Sequence, residues 1–144
     1  MSRIVPLPTT NTVVDETVAI INADGSVASF GALAGTVSRI ASAAATTNAT
    51  SAKASAGYLY AASGYNAAAA VRYLKFYNKA SAPTVGTDVP VLTLALAPSA
   101  AFNFNLGGLR FSTGIAYAMT TGAADADTGA LTLADIVGLN VTYT

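Results

Sequence analysis

The chain has 144 residues, enough to bury one sizeable core but not two, and its 7 basic and 7 acidic side chains cancel to a formal charge of zero. That balance excludes a global field drawing the protein to nucleic acid or anionic lipid, and the lack of histidine and cysteine excludes imidazole catalysis, disulfides and Cys- or His-based zinc sites. Only 10% of residues are charged against 53% apolar, so the composition reads as a self-associating protein whose surface is largely covered by partners.

The N-terminus, "MSRIVPLPTTNTVVDETV", lacks a basic region followed by an apolar one, and no window approaches 18 uninterrupted apolar residues; neither a cleaved signal nor a membrane span is expected. Pro6, Pro8 and the run Thr9 to Thr12 read as an extended arm, because proline rules out both a helix interior and a central strand. Next comes "TVVDETVAIIN", then Asp24-Gly25, then "SVASF", a hairpin signal with the turn at Asp24-Gly25. Between residues 30 and 41 a helical stripe (Phe30, Leu33, Val37, Ile40) competes with Gly31, Gly35 and β-branched residues, and the reading is loop followed by strand.

From there turn residues recur at short intervals: Thr47-Asn48, Ser55 to Gly57, Gly64 to Asn66, Asn78 to Gly86, Pro98-Ser99, Gly107-Gly108 and Gly122 to Gly129. Short segments with this punctuation and no long amphipathic helix predict an all-β sandwich or barrel. In "VRYLKFYN" neither face is plainly polar: Arg72, Leu74, Phe76 and Asn78 oppose Val71, Tyr73, Lys75 and Tyr77, so both faces are expected to touch something. In "VLTLALA" Leu92, Leu94 and Leu96 form a core face. "GIAYAMT" sets Ile115, Tyr117 and Met119 against a flat face of Gly114, Ala116 and Ala118 that permits close approach by a second sheet or another subunit. In "IVGLNVTYT" the alternation points Val137, Leu139, Val141 and Tyr143 inward.

The search for chemistry ends mostly in exclusions. No serine lies three residues before Lys53, Lys75 or Lys79, and the phosphate-cradling and dinucleotide glycine patterns are absent. Asp125 and Asp127 open a stretch that departs from a calcium loop at Gly129, Ala130 and Ile136, so it reads as a solvated Asp/Gly turn, with a weak ion site between loops as the alternative. Tyr73, Lys75 and Tyr77 with Arg72 and Lys79 resemble a stacking platform for single-stranded nucleic acid, but zero net charge and the lack of a second basic cluster argue against it. The chain is therefore not expected to be an enzyme, and no catalytic residue, cofactor or metal ligand is assigned.

The segments "TNATSAKASAGYLYAASGYN", "AAVRYLKFYNKASAPTVGTDVPVLTLAL", "GLRFSTGIAYAMTTGAADADTG" and "DIVGLNVTYT" together resemble a family of small tailed-bacteriophage structural proteins, over residues 37 to 144. The resemblance implies a β-sandwich virion component, a capsid decoration or cement protein acting as a homotrimer on the outer surface of the capsid, with itself and the major capsid protein as partners and neither nucleic acid nor membrane. It supplies no site residues. The expected architecture is an all-β, antiparallel β-sandwich of jelly-roll-like form over 37–144, preceded by an N-terminal arm and hairpin over 1–36 that holds a possible attachment segment. Tyr73, Lys75, Tyr77, Pro6 and Pro8 are the candidate subunit or capsid contacts. The alternative function is a fibre, spike or head-fibre module that binds host-surface glycan through the loops 79–90 and 121–130.

Overall fold

A computed structural model describes Val13–Val14, Thr17–Val18 and residues 35–144. The first two segments are short strands, β1 (Val13–Val14) and β2 (Thr17–Val18), paired antiparallel with Val13 opposite Val18 and Val14 opposite Thr17. Within the stretch "TVVDETVAIIN" that the sequence reads as one strand, Val13–Val14 thus pair with Thr17–Val18. The Asp24-Gly25 turn, Pro6 and Pro8 lie outside the described residues.

The larger unit, Gly35–Thr144, is built entirely of strands and connections. In chain order the strands are β3 (Thr36–Ser42), β4 (Thr50–Lys53), β5 (Gly57–Asn66), β6 (Arg72–Asn78), β7 (Leu92–Leu96), β8 (Ala100–Phe111), β9 (Ile115–Thr120) and β10 (Ile136–Tyr143). They form two four-stranded antiparallel sheets, ordered β3-β10-β5-β8 and β4-β9-β6-β7. The pairing follows one rule: β3 with β10, β4 with β9, β5 with β8, β6 with β7, so the chain is a single long hairpin folded over on itself. The seams β10–β5 and β9–β6 close it into the two sheets of a jelly roll.

The core lies between the sheets. Leu59, Ala62, Phe102, Leu139 and Val141 from one sheet meet Leu74, Phe76, Leu96, Ile115, Tyr117 and Met119 from the other. Leu92 and Leu94 pack beside Leu96, so the leucine face of β7 lies where its alternation predicted. Each fully buried side chain of this size contributes about 1.5–3 kcal/mol from burial alone. Two tyrosine hydroxyls tie the layers across the gap: Tyr117 Oη lies 2.9 Å from Ser38 Oγ, and Tyr143 Oη donates to the carbonyl of Ala52 at 2.8 Å. Asn66 is fully buried and fully used, its amide donating to the carbonyls of Ala70 and Leu96 while its carbonyl accepts from the Ala68 N–H.

The phase of β10 differs from its reading in the sequence. Ile136 is buried and Val137 exposed, while Leu139 and Val141 still point inward. The register shifts between Val137 and Asn140, and Gly138 sits there with φ +62°. An extra residue in the strand, placed at the one residue type that accepts this φ without strain, reverses the alternation on its N-terminal side.

Candidate functional site

The two outer faces of the sandwich have different fates. On the sheet β4-β9-β6-β7, strand register groups Tyr73 with Ala95 and Thr120, Lys75 with Thr93 and Ala118, and Tyr77 with Ala116 and Ser51. Around Lys75, Tyr77, Ala116 and Ala118 this face is covered by the chain's own loops. Val85, from the loop 79–91, packs on Tyr77, Ala116 and Ala118, and Lys75 Nζ donates to the carbonyl of Ala124 in the loop 121–135 at 2.5 Å. The loops meet at Gly86, where a Cβ would run into the Thr128 methyl and lie 3.3 Å from the Ala126 carbonyl oxygen.

Both loops carry internal braces. In the first, the Asp88 carboxylate accepts from Lys79 Nζ and from the Thr84 N–H, and the Val91 N–H donates to the carbonyl of Phe76. These bonds from Lys79 and Thr84 hold the Asp88 carboxyl below the usual carboxylate range. In the second, Asp127 Oδ1 accepts from the N–H groups of Gly122 and Gly129, so this carboxylate spends an oxygen on holding its own turn. Among the described residues no three carboxylates gather in one place.

The sealing corrects the role expected of the "VRYLKFYN" strand. Both of its faces do touch something, but what touches the outer one is this chain. Lys75 and Tyr77 are fully buried and offer no contact surface, while Tyr73, further along, is half-buried. Burial also leaves the Tyr77 hydroxyl without a hydrogen-bond partner among the described residues. Desolvation pushes its pKa upward, and the charges of Asp88 and Asp125 add to the rise. The flat alanine face of β9 is likewise used for close approach, by a loop of the same chain.

Among the described residues nothing covers the outer face of β3-β10-β5-β8. Strand register sets Ser42, Val137, Tyr65 and Ala101 in one row, Arg39, Asn140, Ser63 and Asn103 in the next, and Val37, Thr142, Ala61 and Asn105 in a third, with Tyr58 beside Arg110 beyond them. Val37 is 52% exposed, Tyr58 44%, Tyr65 43% and Val137 40%, so apolar and aromatic area stands in solvent across the sheet. Arg39 and Arg110 are exposed too, and neither has an ion-pair partner among the described residues.

Sequence reading missed this face because bulges at Gly138 and between Leu59 and Ala61 break the alternation that would reveal it. A usable signal was the lack of any aspartate or glutamate from residue 25 to 87 and from 89 to 124, the stretches that supply β3, β5 and β8. No pocket opens among the described residues, and no described helix is long and apolar enough to cross a membrane.

Fold and surfaces together define a jelly-roll β-sandwich with one self-covered sheet and one open sheet. No protein-family model matches the chain, and no curated protein and no solved structure matches it.

Proposed function

We propose that the chain is a virion structural protein, a capsid decoration protein that binds the assembled shell at seams between capsomers and stabilises it, acting as a homotrimer. One observation carries most of the support: the sandwich covers one sheet with its own loops, while the described residues leave the other as a surface of tyrosine, arginine, valine and small polar side chains. That composition suits protein contact, because tyrosine and arginine supply rigid, amphipathic contact area and the flat sheet conforms to a second flat surface. The likeness of residues 37–144 to small phage structural proteins points the same way. A protein that binds only the assembled shell stabilises it by mass action, with no chemical step. Fold alone does not select this role, since jelly rolls also serve as lectin domains.

The test is copy number. Quantitative mass spectrometry of virions of the virus encoding the chain should give a ratio to the major capsid protein near one or a simple fraction. A handful of copies per particle would refute shell coating and favour a fibre or spike that binds host-surface glycan.

A further inference from the structure

We infer that the outer face of β3-β10-β5-β8 is the surface by which the chain docks, and that its partner presents a flat protein surface rich in carboxylates. The inference rests on the shell-binding reading above and deepens it by naming the face and the chemistry opposite it.

The charge distribution carries the argument. None of the four strands contains an aspartate or glutamate, while Arg39 on β3 and Arg110 on β8 both stand exposed. The described carboxylates Asp88, Asp125, Asp127 and Asp135 all lie in the connections before β7 and before β10, and Asp88 and Asp135 are already paired, with Lys79 and Arg72. The face is thus cationic, and among the described residues nothing on it neutralises its guanidiniums. Two copies meeting face to face would oppose four arginines with no carboxylate between them, which argues against a self-pairing surface. Carboxylates across the interface would instead take bidentate bonds from each guanidinium, with Tyr58 packing beside Arg110.

Size sets the expected strength. Four strands at ~4.8 Å spacing and eight residues at ~3.3 Å give a face of roughly 500 Å². That falls short of the ~800 Å² per partner of a standard interface, so one copy binds weakly and several faces held together in an oligomer supply the remainder by avidity.

The experiment is co-sedimentation of the full chain with shells stripped of it, comparing wild type with two variants that each lower the charge by two: Arg39→Ser/Arg110→Ser on the face, and Ser81→Glu/Thr87→Glu on the loop over the other sheet. The expected result is a loss of about tenfold per arginine, roughly a hundredfold for the face variant, with the loop variant close to wild type. All three proteins should show the same far-UV circular dichroism and the same sedimentation coefficient alone. Equal binding by the two variants would overturn the inference, because shell attraction would then be a matter of net charge. A face variant that falls apart into smaller oligomers would overturn it as well, assigning the face to contacts between copies. If wild type itself does not bind shells, the functional reading fails, and the inference falls with it.

Discussion

Removing one oxygen from the sealed sheet should make the protein more stable. The Tyr77 hydroxyl is buried without a partner among the described residues, while its ring packs against Ala116, Ala118 and Val85. Tyr77→Phe keeps that ring and removes a polar atom whose burial costs about 1–3 kcal/mol when unpaired. Part of the penalty is relieved by local relaxation, so the expected gain is about 1 kcal/mol, or ~3–4 °C in Tm for a domain of this size. Urea titration at pH 7 with an unchanged m-value measures it. The pH dependence gives a second readout. Burial, with Asp88 and Asp125, raises the folded-state pKa of Tyr77 above the ordinary value of 10.0, so the folded protein binds this proton more tightly than the unfolded chain. The resulting stability is fully present below pH 10 and is lost as pH rises through the raised value, so the advantage of the phenylalanine variant should widen above pH 10. A variant destabilised by 1 kcal/mol or more would refute the reasoning and show that the hydroxyl has a partner in solution.

Lys75→Met should be neutral or stabilising by about 1 kcal/mol, since an ammonium buried with one carbonyl acceptor is replaced by an unbranched apolar chain of similar length; Lys75→Ala, which also opens a cavity, should be destabilising, and chemical denaturation separates the two. Asp135→Ala should cost about 3–5 kcal/mol in the same assay, because Asp135 Oδ2 lies 2.7 Å from Arg72 Nε and accepts from the Thr132 N–H at 2.9 Å, both side chains being largely buried. Gly114→Ala should cost about 1–3 kcal/mol, as the new Cβ would lie 2.7 Å from Ala80 Cα and from the carbonyl oxygens of Lys53 and Lys79, backbone atoms with little room to yield. Acid should loosen the 79–91 loop: the depressed Asp88 pKa means that its bonds to Lys79 and Thr84 are intact above the ordinary carboxylate range and lost as pH falls through the lowered folded value, which amide exchange at Thr84 reports.

Side-chain alternation carried the reading of this fold where strands were regular. Leu92, Leu94 and Leu96 declare their face, and Ile115, Tyr117 and Met119 declare theirs, because nothing interrupts the two-residue period. The period fails at Gly138, where one inserted residue exchanges Val137 for Ile136 in the core. Lys75 and Tyr77 failed as candidate contacts for a different reason. Sequence shows that a strand such as "VRYLKFYN" has two faces in need of cover, but not whether the cover comes from another molecule or from loops 8 and 49 residues further along the same chain. Here Val85 and Ala124 supply it. The exposed face is spread over four strands whose register no local pattern reveals, so Arg110 becomes a neighbour of Tyr58, and Arg39 joins the face that carries Tyr65, only once the sheet is assembled.

The folded-over hairpin also governs how the protein is made. Thr36 at the start of β3 pairs with Tyr143 at the end of β10, and β10 fills the middle of its sheet, between β3 and β5. A ribosome working at about 5–20 residues per second therefore releases β3 to β9 before the strand that joins β3 to β5 exists. Until β10 emerges, the leucine, phenylalanine and tyrosine side chains of one sheet have no complete second layer to bury them, and the nascent chain depends on chaperones or on speed to stay apart from its neighbours. By topology the β3-β10-β5-β8 sheet closes only once β10 is available, and its many pairings between residues distant in sequence predict slow folding.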